Sequence, residues 1–226
     1  MATTSLLAVS AHATTTYDVF SGYGSSVFSY GSGVGAGLTP FSGSYNPCFT
    51  ANFECMTSTG ADSVPGVGRV TSGASAAFAT VLVPTGLVWM HPDNGATPPV
   101  SVVFTAPTSG TYTIKGFFER LDTTAGAGSG VNYNVYDNGV SIASGNLPNT
   151  AYGETSAISD RLALAAGDHI SFSVSNVGNA YSYDSTGLSA AITAVPEPAT
   201  WVMMLVGLGG VGAAIRSRRK PAVVTA

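Results

Sequence analysis

Charge is the scarcest commodity in this chain. Its 226 residues include 8 Lys and Arg and 12 Asp and Glu, and no basic residue precedes Arg69. Between Thr14 and Val195, eleven acidic residues face four basic ones (Arg69, Lys115, Arg120 and Arg161), a balance of −7. Nucleic acid is thereby excluded as a partner, because phosphate binding needs clustered positive charge. The chain also has only 2 cysteines and 3 histidines, and it contains no Gly-x-Ser-x-Gly, no His-Glu-x-x-His and no phosphate loop. Familiar nucleophile, zinc-hydrolase and nucleotide chemistries therefore have no motif to run on. Before Thr200 no long segment has the 3.6-residue apolar period of a helix, which argues against an α or α/β domain.

The charge that is present is concentrated. Arg216, Arg218, Arg219 and Lys220 are half of the eight basic residues, and they follow seventeen uncharged positions from Ala199 to Ile215. At about 1.5 Å per residue such a helix covers roughly 25 Å of a hydrocarbon core about 30 Å thick. A basic cluster at one end of an apolar segment places that end in the cytoplasm. Gly209 with Ala213, and Gly210 with Ala214, give the small-xxx-small spacing that lets membrane helices approach closely. Ahead of the helix, Pro196 and Pro198 hold Val195–Pro198 extended and accessible. This predicts a single C-terminal transmembrane helix, about residues 199–216, with a processing strip outside it and a 221–226 tail.

The segment Val195-Pro-Glu-Pro-Ala-Thr-Trp201, the Gly-rich apolar run and the Arg cluster resemble the PEP-CTERM protein-sorting segment of Gram-negative, exopolysaccharide-producing bacteria, also labelled an ice-binding protein C-terminal domain. The resemblance covers residues 195–220 and implies processing by exosortase, a membrane transpeptidase-like enzyme. It assigns recognition to Pro196, Glu197, Pro198 and Trp201, and the membrane stop to Arg216, Arg218, Arg219 and Lys220. Regular Thr-x-Thr ranks for ice binding are absent apart from Thr111-Tyr-Thr113.

Leu6-Leu-Ala-Val-Ser-Ala-His-Ala13 has the apolar stretch and Ala-x-Ala ending of a signal peptide but no charged leader. Residues 1–13 read as a truncated signal-peptide remnant, with the true start upstream and maturation after Ala13. Use of the secretion machinery is thereby expected. In an exported segment, Cys48 and Cys55, enclosing six residues, are expected to form a disulfide.

Residues 14–194 carry a recurrent period of two. Tyr112, Ile114, Gly116 and Phe118 alternate with Thr111, Thr113, Lys115 and Glu119; Val131, Tyr133 and Val135 alternate with Asn132, Asn134 and Tyr136. Asp137-Asn138-Gly139 supplies hairpin chemistry into Val140. Ile170, Phe172 and Val174 alternate with serines, and Leu188, Ala190 and Ile192 form the last strand. The expected fold is an antiparallel, jelly-roll-like β-sandwich. Strands are also expected at Tyr17–Phe20 and Val27–Tyr30, while the Cys48–Cys55 region and Asp62–Ser75 read as surface insertions.

Trp89-Met-His-Pro-Asp-Asn-Gly, Ala106-Pro-Thr-Ser-Gly-Thr-Tyr-Thr-Ile, Tyr136-Asp-Asn-Gly, Leu164-Ala-Ala-Gly-Asp and Tyr183-Asp-Ser-Thr-Gly-Leu together resemble a β-sandwich module of bacterial extracellular proteins, over residues 87–193. It implies a lectin-type fold but transfers no ligand.

Candidate binding residues follow from side-chain type. Trp89, His91, Tyr181 and Tyr183 could offer flat faces and polar tips for sugar stacking, against the alternative of core packing. Asp122, Asp137 and Asp184 lie near strand ends and could converge on Ca²⁺, against the alternative of solvated turn aspartates. His91 and His169 otherwise read as a loop histidine and strand-start polarity. Paired carboxylates for polysaccharide hydrolysis would have to come from Glu119 with Asp122 or Asp160 with Asp168. The expectation is a non-enzymatic protein, anchored in the inner membrane during export and then placed at the cell surface or in an exopolysaccharide matrix, with polysaccharide binding as its activity. A structural or adhesive matrix protein is the alternative, and a hydrolase the third reading.

Overall fold

The computed structural model describes residues 14–93, 98–126, 128–178, 182–195 and 200–218, with the side chains of 200–205, 214, 217 and 218 left out. The remnant at 1–13, Tyr181, Pro196, Glu197, Pro198, Arg219, Lys220 and the 221–226 tail lie outside the described residues, as do the side chains of Trp201 and Arg218. Thr15–Val195 is one compact unit.

In chain order its strands are β1 (Thr15–Asp18), β2 (Phe28–Ser32), β3 (Thr39–Pro40), β4 (Gly43–Tyr45), β5 (Phe53–Thr57), β6 (Gly66–Val70), β7 (Ser75–Phe78) and β8 (Val81–Pro84). They continue with β9 (Val88–His91), β10 (Val100–Thr105), β11 (Gly110–Arg120), β12 (Val131–Asp137), β13 (Val140–Leu147), β14 (Thr155–Leu164), β15 (His169–Asn176) and β16 (Thr186–Val195). One sheet has the order β14-β11-β16-β9-β6-β5-β4, with β1 also pairing β16; the other runs β13-β12-β15-β10-β2-β3. Every pairing is antiparallel. The two inner faces enclose one core, with Tyr112, Ile114, Phe118, Leu188 and Ile192 from the first sheet against Phe104, Val135, Ile170, Phe172 and Val174 from the second. The antiparallel sandwich read from the alternation is thus present.

Local chemistry explains the strongest elements. Asn138 and Gly139 both adopt positive φ, 49° and 84°, and join β12 to β13 by the two-residue turn that an Asn-Gly pair favours. Gly116 sits mid-strand between β14 and β16, where a Cβ would fall onto the Ser189 carbonyl and 2.8 Å from Ala190 Cα. Two of the three serines of β15 do not face water. Ser171 and Ser173 are buried under the 33–37 turn, where Ser171 Oγ accepts the Gly35 N–H at 2.8 Å.

Asp62–Ser75 and the Cys48–Cys55 region are not surface insertions. They supply β5 and β6, which extend the first sheet beyond β9. A second core lies on the outer face of that sheet, containing Cys48, Phe53, Cys55, Val70, Val83, Trp89 and Leu121. The Cys48–Cys55 disulfide is formed within it. Gly66 and Gly68 leave the room these rings need, since a Cβ on Gly68 would stand 2.6 Å from Phe53 Cε1 and one on Gly66 3.0 Å from Trp89 Cζ3.

The tail forms one helix, α1 (Thr200–Arg218). Among the described residues no helix is long and apolar enough to cross a membrane.

Candidate functional site

A surface cleft of about 420 Å³ is lined by Phe20, Asn46, Glu54, Arg69, Ser72 and Thr85, with neighbouring backbone. Its volume falls in the usual range for small-ligand sites, roughly 300–1,000 Å³. β5 and β6 build the floor. Glu54 and Arg69 are cross-strand neighbours on the face that also carries Met56 and Val67, both of which pack into the main core. Two residues further along, the same face leaves the core and becomes the cleft.

Arg69 is held from three directions. Its Nε donates to Glu54 Oε1 at 2.6 Å, and its Nη1 donates to the Phe20 carbonyl at 2.7 Å. The guanidinium lies over the rings of Phe20 and Tyr23, 5.6 and 5.1 Å from their centroids. Phe20 is presented by the turn after β1, in which Asp18 Oδ1 accepts the N–H groups of Phe20 and Ser21 at 3.1 and 2.8 Å. Tyr23 donates its hydroxyl to the Val67 carbonyl at 3.0 Å, and burial pushes its pKa well above the usual tyrosine value. A partly exposed ion pair is worth little as a stabiliser. Here it fixes a planar donor group beside an aromatic edge, with Asn46, Ser72 and Thr85 exposed around the rim.

Of the sugar-site residues expected from sequence, the described ones, Trp89, His91 and Tyr183, do not line this cleft. Trp89 is buried, its ring meeting Phe49, Phe53 and Phe78 edge-on at 5.4, 5.9 and 6.0 Å. Its Nε1 donates to Ser185 Oγ at 3.1 Å. It is therefore a core residue, because β9 is covered on both faces: Val88 and Met90 point into the main core and Trp89 into the second. His91 is buried too, with Nδ1 bonded to the Pro92 carbonyl at 2.8 Å and a pKa lowered to about 4 by burial. Tyr183 alone of the described three is open to solvent, on a turn with φ of 66°. His169 is half-buried, its Nδ1 3.2 Å from Thr105 Oγ1.

The three aspartates proposed to converge do not. Asp122 and Asp184 meet at one end of the sandwich, both 1 % exposed. Asp137 ends β12, six residues beyond Val131, which lines the pocket holding Asp184. At about 3.3 Å per residue it lies roughly 20 Å away. Among the described residues no group of three or more His, Cys, Asp and Glu is placed to hold a metal. Asp184 is pushed up to about 7, first by burial and then by the Asp122 charge, with Arg120 opposing. Asp122 is also raised by burial, although it accepts from Thr80 Oγ1 at 2.9 Å and from the Ser185 N–H at 2.8 Å. Of the hydrolase candidates, Asp160 accepts the Arg161 N–H and Asp168 the Ala165 N–H, each at 2.7 Å, and neither lines the cleft, nor do Glu119 and Asp122.

Sequence reasoning missed Phe20, Glu54 and Arg69. Arg69 carried a signal in retrospect, as the first basic residue of the chain and one of four in the exported part.

At the other end of the chain, residues 194–220 match the family model of the PEP-CTERM protein-sorting motif. The chain carries a PEP-CTERM sorting motif. That motif marks an exported, membrane-anchored protein that is processed by exosortase and reaches the cell surface. No curated protein matches the chain. Among solved structures, it is similar to a CBM51 module of a Clostridium perfringens GH95 protein in complex with methyl-galactose, at 12 % identity over 50 % of this chain and 72 % of that one, TM-score 0.36. Tandem CBM51 modules of a Streptococcus pneumoniae family 98 glycoside hydrolase align at 12 % identity over 56 % and 37 %, TM-score 0.38. Pika GITRL aligns comparably, at 14 % identity over 52 % and 89 %, TM-score 0.28. No ligand passes to this chain through likenesses of this size.

Proposed function

We propose that this is a non-enzymatic surface protein, exported through the secretion machinery and held by its tail in the inner membrane of a Gram-negative cell. There it is cut by exosortase near Pro196-Glu197-Pro198 and left at the surface or in the exopolysaccharide matrix, where its sandwich binds polysaccharide. The PEP-CTERM motif at 194–220 carries the sorting half of this reading. During processing the uncharged stretch from Ala199 to Ile215 lies in the bilayer, with Arg216, Arg218, Arg219 and Lys220 as the stop.

The cleft at Arg69 supports the binding half. Sugar recognition needs a planar, fixed donor, an apolar edge for ring carbons and hydroxyl or amide groups around them. Arg69, Phe20 and the Asn46, Ser72 and Thr85 rim supply these in turn. Glu54 is neutralised by Arg69, so the cleft offers recognition without a free carboxylate for hydrolysis.

Two experiments test the halves separately. Intact-mass analysis with and without exosortase should show a mature chain ending near Pro198 only when the enzyme is present; an intact tail in both strains refutes the sorting half. Titration of the secreted protein with the polysaccharide of its own cells should give binding that Arg69→Ala weakens at least about tenfold, the loss expected for one charge-assisted hydrogen bond. Equal binding by the variant refutes the cleft. The second reading, self-association without a discrete ligand, draws on β13 and β14, edge strands of eight and ten residues that pair on one side only.

A further inference from the structure

The protein itself uses only part of the Arg69–Glu54 pair. A guanidinium carries five N–H donors. Nε gives its one to Glu54 Oε1 at 2.6 Å and Nη1 gives one to the Phe20 carbonyl at 2.7 Å. Two of the remaining three are on Nη2, and among the described residues neither Nη2 nor Glu54 Oε2 makes a hydrogen bond. Neither atom is shut away from solvent, the two side chains being 26 % and 22 % exposed, and both residues line the cleft. Each of these atoms belongs to a planar group that is fixed by the 2.6 Å contact, so an open donor and an open acceptor are held as close neighbours. On the rim, Thr85 Oγ1 donates to the Gly73 carbonyl at 2.6 Å, which leaves that hydroxyl oxygen as a further acceptor.

Charge decides which ligands can use this pair. Among the described residues that line the cleft, Arg69 and Glu54 are the only ionisable ones, one of each sign. A carboxylate or sulfate brought to Arg69 would also meet Glu54 Oε2, within a domain whose charge balance is already −7. An amine brought to Glu54 would meet the guanidinium. A hydroxyl carries neither penalty and works in both directions, accepting from Nη2 or donating to Oε2. Each such bond has a charged partner, which makes it about twice as strong as a neutral one.

We propose that the cleft selects an uncharged polysaccharide and reads a vicinal diol on it, one hydroxyl accepting from Arg69 Nη2 and its neighbour donating to Glu54 Oε2. This rests on the reading of the cleft as a polysaccharide site, and adds to it the class of glycan and the groups recognised. The pair is ordered before the ligand arrives: Glu54 and the Phe20 carbonyl hold the guanidinium, and the rings of Phe20 and Tyr23 support its face. Little side-chain freedom is then lost on binding. Since no ion pair forms with the ligand, affinity changes little with salt, whereas an acidic glycan held by Arg69 alone would be released as salt screens the attraction.

The test uses the full chain in a detergent without a sugar head group, titrated with the polysaccharide of the producing cells after anion exchange has divided it into uncharged and acidic fractions. The uncharged fraction should bind, with nearly the same affinity at low and high salt. Periodate cleaves the carbon–carbon bond between vicinal hydroxyls, so oxidising that fraction and reducing the aldehydes with borohydride should weaken binding at least about tenfold. Glu54→Gln, which leaves Arg69 without its counter-charge, should bind the acidic fraction that the unsubstituted chain rejects. Preference of the unsubstituted chain for the acidic fraction, unchanged binding after periodate, or rejection of the acidic fraction by Glu54→Gln overturns the proposal and leaves the binding reading in place. Binding of neither fraction overturns the binding reading itself, and this proposal with it. If Glu54→Gln does not fold, the periodate result on the unsubstituted chain decides.

Discussion

Two buried titratable groups should pull stability in opposite directions over the same range of pH, so that each is visible only when the other remains alone. Asp184 moves from 3.8 to about 7 on folding and His91 from 6.5 to about 4, in both cases mainly through burial. Between about pH 4 and 7 the folded chain keeps a proton on Asp184 that the unfolded chain has released, so stability falls as pH rises and this contribution is gone above pH 7. His91 does the reverse. Between about pH 6.5 and 4 the unfolded chain takes up a proton that buried His91 refuses, and stability falls as pH drops. At roughly 1.4 kcal/mol per tenfold change in proton affinity, Asp184 is worth about 4 kcal/mol across its window and His91 about 3 kcal/mol across its own.

The unsubstituted protein should therefore show nearly level stability from these two groups between about pH 4 and 6.5, then a decline to about pH 7. Asp184→Asn should expose the His91 slope, gaining about 3 kcal/mol from pH 4 to 6.5 and outlasting the parent at about pH 8. His91→Gln should expose the other slope and lose about 4 kcal/mol from pH 4 to 7. Urea midpoints followed by the near-ultraviolet signal of Trp89 measure these curves. The parent-minus-variant difference removes groups common to both chains, such as Glu119 and Asp137, which burial also raises. A difference between parent and Asp184→Asn that stays flat across this range would refute the buried-carboxyl account.

Three further outcomes follow from packing. Trp89→Ala should cost about 3–5 kcal/mol, as for other large core rings, and leave the polysaccharide binding proposed at Arg69 unchanged once stability is allowed for. Reducing the Cys48–Cys55 bridge, seven positions apart, should cost about 2–3 kcal/mol by releasing loop entropy, read as a lowered urea midpoint. Gly116→Ala should cost about 3 kcal/mol or more because the new methyl strikes the β16 backbone, while Gly110→Ala, with open space at its Cβ and no positive φ, should cost far less.

What the sequence disclosed depended on which faces of a strand are covered. β11 and β12 are buried mainly on one face, so apolar and polar residues alternate and their pairing is readable, down to the Asn138-Gly139 turn. β6 reads Gly-Val-Gly-Arg-Val and looks like a loop, because two of the three residues on its outer face, Gly66 and Gly68, are glycines that yield their volume to Phe53 and Trp89. The tail was legible for a different reason: it is a linear signal, and residues 194–220 match their family model without help from tertiary structure.

The unforeseen burial of Trp89 and His91 has the same physical origin as the hidden strand. In β9 all four residues are buried, so the alternation that tells inside from outside is erased and Trp89 and His91 look as available as any rim residue. Only the hairpin of β7 and β8, with Phe49, Phe53 and Phe78 packed above β9, decides otherwise. Arg69 is the converse case. A lone arginine in a Gly-rich stretch reads as a solvated charge, yet the opposite residue in register is Glu54, and the turn after β1 lays Phe20 and Tyr23 against it. A site assembled from cross-strand register and a distant turn leaves no spacing in the sequence, so it can be seen only once the β5–β6 pairing is known.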